Sequence, residues 1–369
     1  RYGGQVAAAR VGVALQAKPP ENFRFPAVNF VDEAVAAELT RWHIPPAPLC
    51  EQSEFFRRAH LDLVGRLPEP AAVRSFLDQP DTPDRRTQVI AALLQRDAFV
   101  DLWTMRLADL LLISSKKQGP AGSKTYHDWL RAQIAANAPV DRLAHSLLTA
   151  SGDITEVGPA NFYKMTSDPR DMGEFVSRTF LGVRVACARC HNHPFDRWSM
   201  RDYYEFAAYF AHTGQEGNRI VLKNRGEVRH PKSKKIAQPK PLGGRLAPST
   251  GDDRRTGLAD WLTAPDNPFF ARAFVNRVWK HLLGRGIIEP VDDVRVTNPP
   301  SNPALLDALA RDFVSHGHDL RRLIRTITTS RTYQLASRVN AVNRHDERFF
   351  SHAYLKPVRA QVLADVITQ

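Results

Sequence analysis

Only three cysteines occur in the 369 residues, too few for a disulfide framework to stand in for a hydrophobic core. No run of about 18 apolar residues is present, so no helical membrane span is expected. Four common signatures are missing as well: G-x-S-x-G, Walker A, a Rossmann glycine run and H-E-x-x-H. Their absence removes the α/β-hydrolase, P-loop, dinucleotide-binding and zincin readings. No repeat of fixed period appears, which argues against a solenoid or propeller. A starting methionine is lacking too: the chain opens on Arg1 and stops at Gln369 within a helical pattern. The expectation is a segment of a longer chain, so a missing leader peptide says nothing about location.

What is present is an ordinary globular composition, 43% hydrophobic and 24% charged, in a length that suits two domains. The net charge is +12, a balance that would suit nucleic acid, anionic lipid or an acidic polysaccharide. Most arginines fall at polar positions of helices, however, and the densest basic cluster is Lys232-Ser233-Lys234-Lys235. The charge therefore reads as solvated surface, and nucleic acid is disfavoured as a partner.

Residues 1–27, with Pro19-Pro20 and Pro26, read as an arm or linker. A helical block follows over 28–212. Asn29 opens a helix ending near Trp42, and Ser53 opens another that Gly65 closes. Pro70 and Thr82-Pro83 mark two further starts, and 97–113 is helical. The stretch 114–122 reads as a loop. Helices are expected over 123–136 and 140–149, and Asp168-Pro169 opens one that leads to Cys187. Ser199 and Asp202 form a capping box ahead of Tyr203, Phe206, Ala207 and Phe210 at helical spacing. Residues 213–250 are rich in Gly, Lys and Pro, with Ile220-Val221-Leu222 and Glu227-Val228 the strand-like pieces. A second helical block, 251–369, has starts at Asn267-Pro268, Asn302-Pro303, Asp319 and Pro357. The fold class is mainly α: two helical domains joined by an irregular segment with room for a short β-hairpin.

The chemistry concentrates in Cys187-Ala188-Arg189-Cys190-His191-Asn192-His193-Pro194-Phe195-Asp196. C-x-x-C-H is the attachment signature of c-type haem, in which both thiols bond the porphyrin edge and the adjacent histidine reaches the iron. Cys187 and Cys190 would then be the anchors and His191 the proximal ligand, with Met165, Met172, Met200, His193 and His212 as distal candidates by proximity in the chain alone. A second reading is a single transition metal ion such as zinc, held by the two thiolates with His191, His193 and Asp196. A closed tetrahedral site usually draws its second ligand pair from elsewhere in the chain, and no second C-x-x-C or H-x-x-x-H exists here. The plainest reading is a redox disulfide, or an unused thiol pair packed in a core. Phe195 and Trp198 could supply an apolar wall to a haem face, or could be ordinary core residues beside an Asp196–Arg197 pair. The polar stretch 289–303 holds Glu289, Asp292, Asp293 and Arg295; it fits acid–base or metal work, but helix capping and ion pairing account for it better.

These residues resemble a known pair of families. Phe56-Arg57-Arg58 through Pro68, Gly158 to Tyr163, Phe180-Leu181-Gly182-Val183 and Cys187 to Tyr204 look like the DUF1549 domain, and Gly226 to Pro231 continues it. Asn267 to Arg272, Asn276-Arg277-Val278-Trp279, Gly284-Arg285-Gly286, Asn298 to Pro303 and Ser330 to Gln334 look like the DUF1553 domain. The pair is typical of large secreted proteins of planctomycetes and related bacteria. Members often carry a signal peptide and an N-terminal planctomycete-type cytochrome c domain. The resemblance thus implies an extracytoplasmic, haem-associated setting, with a redox partner or an additional cytochrome domain. It carries over Cys187, Cys190 and His191 as a haem c motif, and no catalytic residues. The expected function is an extracytoplasmic c-type haem protein in electron transfer or haem-dependent redox chemistry. The alternatives are a metal-dependent enzyme acting on polysaccharide, and a non-catalytic scaffold or carbohydrate-binding protein.

Overall fold

The helix starts are written locally in the sequence. At Asn29, Asp168, Asn302 and Asp319 a short polar side chain accepts from an amide one or two residues into the helix, which satisfies donors that have no partner in the first turn. Ser199 and Asp202 make both bonds of the capping box. The computed structural model describes residues 6–9, 11–14, 25–244 and 253–368. Most of the expected arm, and the end of the 213–250 segment, lie outside the described residues.

In chain order the helices are α1 (Phe30–Arg41), α2 (Gln52–Val64), α3 (Pro70–Leu77), α4 (Arg85–Leu93), α5 (Asp97–Leu110), α6 (Ser115–Ala135), α7 (Val140–Thr149), α8 (Pro169–Val176), α9 (Met200–Ala207), α10 (Arg254–Thr263), α11 (Phe270–Leu283), α12 (Pro303–Ser315), α13 (Leu320–Thr328) and α14 (Ala360–Thr368). Gly158–Met165 and Ala186–Arg189 are 3-10 turns. Among the described residues three short strands, β1 (Gly152–Asp153), β2 (Thr213–Glu216) and β3 (Arg219–Leu222), form an antiparallel sheet in the order β1-β3-β2. The chain is mainly α, as its patterning indicates. No described helix is long and apolar enough to cross a membrane.

Several boundaries differ from the sequence reading. The stretch 114–122 is helical from Ser115, because Gln118 reaches back to the Ser114 amide (2.8 Å). Gly119 then breaks the helix at φ 72°, and Pro120 starts it again with a pre-set φ. Helix α2 begins at Gln52 without a side-chain cap, so Ser53 lies inside it. Helix α4 begins at Arg85 rather than after Thr82, and α14 begins at Ala360 rather than Pro357.

The described residues divide into two compact units that are not the linear halves of the chain. One gathers 6–9, 104–244, 253–274 and 290–299; the other gathers 11–14, 25–103, 275–289 and 300–368. In the first, α6 packs on the 158–165 turn, α7 on α10 and α8 on α9. Its centre is aromatic: Phe162 meets Phe175 at 5.2 Å and Phe180 at 5.8 Å between ring centroids. Arg255 of α10 is 1% exposed, donates to the carbonyls of Ala150 (2.8 Å) and Thr149 (3.2 Å), and lies over the Tyr163 ring. Burial pushes the Tyr163 hydroxyl up to about 12.

In the second unit α1 packs on α12, α2 on α4 and α12 on α13. Two buried carboxylates organise it. Asp32 accepts from the amides of Val28 (3.0 Å), Arg331 (2.9 Å) and Thr332 (2.9 Å) and from the Thr332 hydroxyl (2.8 Å). Asp62 accepts from the Lys356 ammonium (2.6 Å) and the Tyr333 hydroxyl (2.9 Å). Burial and the Asp62 charge hold that hydroxyl well above the usual tyrosine range.

Removing the Asp32 carboxylate would leave four donors, some of them fully buried, without their acceptor. Each buried unsatisfied group costs about 1–3 kcal/mol, so Asp32→Ala should lower stability by at least about 3 kcal/mol. Equilibrium urea unfolding checks this, and an unchanged midpoint would contradict it. His60 supplies a pH test. It is 3% exposed, its Nδ1 lies 2.9 Å from the Phe56 carbonyl, and burial lowers its pKa below the ordinary 6.5. The unfolded chain therefore takes up this proton first as the pH falls. The stability is present above about 6.5 and is lost as the pH drops from there toward the lowered folded value. Thermal midpoints between pH 7.5 and 5 should fall less steeply in His60→Gln than in the parent.

Candidate functional site

The approach to the cysteine motif is set by a helix stop. Pro169 occupies the first turn of α8, and the Asp168 carboxylate accepts from the Arg170 amide (2.8 Å). The helix continues through a π turn, Ser177–Leu181, and ends at Gly182 with φ 67°. A Cβ at Gly182 would lie 3.1 Å from Val294 Cγ2, 3.2 Å from Ala273 Cβ and 3.3 Å from the Val291 carbonyl. The position therefore needs glycine for both its backbone conformation and its surroundings. Its carbonyl accepts from the Val294 amide at 2.8 Å, which ties the polar stretch after residue 290 to the entry of the motif.

The 3-10 turn Ala186–Arg189 follows. Cys187 lies within this turn and Cys190 directly follows it. Both are free and exposed, and Ala188 between them is fully buried. Arg189 is the clamp. Its guanidinium reaches Asp171 (2.7 Å) and Glu174 (3.4 Å) of α8, and its carbonyl accepts from the Tyr204 hydroxyl of α9 (3.0 Å). Glu174 also accepts from the Tyr203 hydroxyl (2.5 Å), and burial together with this bond pushes that hydroxyl far above its usual range.

The two histidines differ in environment and in tautomer. His191 is exposed, and its Nδ1 sits 2.8 Å from the Asn192 carbonyl. A carbonyl only accepts, so in the neutral ring Nδ1 carries the hydrogen and Nε2 keeps its lone pair. The Asn192 side chain is itself fixed, accepting from the Met200 amide (3.0 Å) at the head of α9. His193 is 4% exposed, its amide donates to the Trp198 carbonyl (2.8 Å), and its Nδ1 accepts from the Phe195 amide (3.2 Å). That places the hydrogen of the neutral ring on Nε2 and commits Nδ1 to the loop. Burial lowers the His193 pKa; the charge of Arg295 adds to this, and Asp196 and Asp293 oppose it.

Asp196 is 3% exposed and accepts from the amides of Arg197 (2.9 Å) and Val296 (3.4 Å). The Phe195 carbonyl accepts from the Thr297 hydroxyl (3.0 Å). The motif loop and the polar stretch, 100 residues apart in sequence, are thus stitched side by side within one unit. The carboxylates of the polar stretch are all engaged: Asp292 with Arg184 (2.5 Å), Asp293 with Arg295 (3.3 Å) and Glu289 with Lys280 (2.5 Å). Beside the motif, a cavity of about 530 Å³ is lined by Asp171, Glu174, Arg178, Arg184 and Asp292 and borders Val185-Ala186.

Residues 30–215 match the family model described as "Protein of unknown function (DUF1549)", and residues 254–369 match the model for DUF1553. The chain belongs to the DUF1549 family. No curated protein and no solved structure matches it. In this DUF1549 protein, Cys187, Cys190 and His191 come out exposed, whereas His193 and Asp196 are buried and bonded to amides of the loop and of the 290–299 stretch. Among the described residues no three His, Cys, Asp or Glu side chains gather within reach of one metal ion. Trp198 does not face outward as a haem wall would: it is 3% exposed, with Arg197 over its ring and Phe269 at 6.1 Å. Sequence reasoning passed over Arg189, Glu174, Tyr203 and Tyr204. The available signal was the arginine inside C-x-x-C, thirteen residues after a helix bearing Asp171 and Glu174.

Gly182→Ala tests the junction. A left-handed alanine costs about 1 kcal/mol or more, and the methyl displaces Val294. Hydrogen exchange at the Val294 and Val296 amides should speed up while that in α7 stays slow; unchanged protection at both would contradict this account.

Proposed function

We propose that this DUF1549 protein holds one haem c through Cys187 and Cys190, with His191 as proximal ligand, and passes single electrons in an extracytoplasmic compartment. The observation that carries this reading is the set of three groups: two exposed free thiols, one in a 3-10 turn and one directly after it, followed by an exposed imidazole whose Nδ1 donates to a carbonyl so that Nε2 keeps its lone pair. The donor set fits the group. Bound haem supplies a one-electron iron couple; everything else falls to the chain. Arg189, held by Asp171, Glu174 and Tyr204, fixes the turn that spaces the thiols. The Asn192 carbonyl orients His191. The extracytoplasmic setting, and a redox partner or further cytochrome domain as neighbour, rest on the family resemblance.

A zinc or other mononuclear site has less support, because His193 and Asp196 are committed to amides of their own loop and of the 290–299 stretch. A metal-dependent enzyme acting on polysaccharide would draw on the charged cavity, but Asp171, Glu174 and Asp292 there are already engaged by Arg189 and Arg184.

The test is maturation in a host with a cytochrome c assembly system. The expected product keeps its Soret absorbance on a denaturing gel, and Cys187→Ala with Cys190→Ala abolishes it. A colourless parent with stoichiometric zinc, or a double variant with an unchanged spectrum, would overturn the reading.

A further inference from the structure

Charge is distributed unevenly over this chain. Residues 219–240 contain eight lysines and arginines and one acidic residue, Glu227: a net +7 in a protein whose total is +12. The segment is ordered. It begins with strand β3, which pairs with both β1 and β2, and folds back on itself through a bridge between Arg229 and Ile236. The Ala237 amide donates to the Val228 carbonyl (2.8 Å), the His230 amide to the Lys235 carbonyl (2.9 Å) and the Lys234 amide to the His230 carbonyl (2.8 Å). The tip presents Lys232, Ser233, Lys234 and Lys235, all exposed, with Lys234 at φ 58°. Arg229 pairs with Glu227 and Lys240 with Glu205. Among the described residues, Lys223, Arg225, Lys232, Lys234 and Lys235 have no carboxylate at ion-pair distance. So many like charges on one small ribbon repel one another, a cost that an acidic partner would relieve.

The ribbon is anchored next to the cysteine motif. The Tyr204 hydroxyl donates to the Arg189 carbonyl inside C-x-x-C (3.0 Å), and the same ring lies 5.6 Å from the His230 ring, centroid to centroid. The Lys240 amide donates to the Glu205 carbonyl of α9 (3.2 Å). One aromatic side chain thus separates the motif turn from the basic surface.

We propose that residues 219–240 form the docking surface for an acidic electron-transfer protein. A haem held by Cys187 and Cys190, with His191 on its iron, would accept one electron from the reduced partner, which would itself be oxidised by one electron. That the partner carries electrons, and where the electron goes, rest on the haem reading; the docking of an acidic protein does not. Two observations favour a protein over a linear polyanion. The ribbon has no Phe, Tyr or Trp, so it offers no platform for stacking bases. It does expose Leu222 (44%) and Ile236 (42%) among its charges, and apolar contacts within a charged rim suit a weak, fast-exchanging protein interface.

The experiment uses a strongly acidic reduced flavodoxin as probe. Its binding to the Cys187→Ala, Cys190→Ala protein, which cannot hold haem, is followed by NMR line shifts. Its rate of electron delivery to the haem-loaded parent is followed by stopped flow. Both should weaken at least tenfold in Lys232→Glu/Lys234→Glu/Lys235→Glu at low salt, with the difference closing near 0.5 M salt, where the Debye length has fallen to about 4 Å. An equal charge change elsewhere, Arg325→Glu/Arg338→Glu/Arg344→Glu, should leave both within about twofold. The proposal is overturned if the ribbon variant binds like the parent, if the control weakens binding as much, or if heparin or single-stranded DNA binds the ribbon while flavodoxin does not. If no haem attaches, the binding arm still decides the docking surface, so failure of the haem reading is told apart from failure of this one.

Discussion

The Gly182 carbonyl accepts from the Val294 amide, and the candidate site depends on that bond. It forms only because the chain turns left-handed where α8 and its π turn end, in a space with no room for a side chain beyond hydrogen. From this point two consequences follow. The chain is redirected into the 3-10 turn that spaces Cys187 and Cys190, and the stretch after Pro290 is brought alongside the motif loop. The later bonds between these segments, Val296 to Asp196 and Thr297 to Phe195, continue the same seam. A glycine thus does more for the site's geometry than the residues that would carry its chemistry.

The seam also explains why neighbouring histidines have different capacities. His193 and Asp196 face the seam, where amides on both sides take their acceptor atoms and burial disfavours the charged imidazole. His191 sits on the other side of the same short loop, exposed, with one nitrogen donating to a carbonyl and the other unspent. A buried histidine that accepts from its own loop is a structural element, and an exposed one with a defined tautomer is a ligand in waiting. Spacing alone offered both rings as metal donors. Only the hydrogen bonds separate them.

What the sequence made legible was local. Asn29, Asp168, Ser199 with Asp202, Asn302 and Asp319 announced helix starts because a cap is a contact between residues two or three apart, and Gly65 marks a positive-φ helix end for the same reason. The Ser114–Gln118 bond that makes 115–118 helical was hidden, since a Ser-Ser-Lys-Lys-Gln-Gly-Pro run has the composition of a loop. Trp198 could be placed on a wall or in a core with equal ease, because an aromatic after a motif carries no sign of which side it faces. The meeting of the motif with the 290–299 stretch was illegible for a stronger reason. No periodicity or cap encodes an amide bond between positions 100 residues apart, such as Val296 with Asp196; it results from the packing of everything between.

The same distinction changes what the net charge means. Read as a total, +12 spread over a helical chain is a statement about solubility. Read in place, more than half of it sits on one ribbon, tied through Tyr204 to the carbonyl of the arginine that clamps the cysteine turn. At a screening length of about 8–10 Å in physiological salt, charge scattered over a molecule largely cancels, while charge gathered on one small ribbon still acts on an approaching surface. The charge is gathered in the sequence itself; what folding adds is its place beside the motif, through Tyr204.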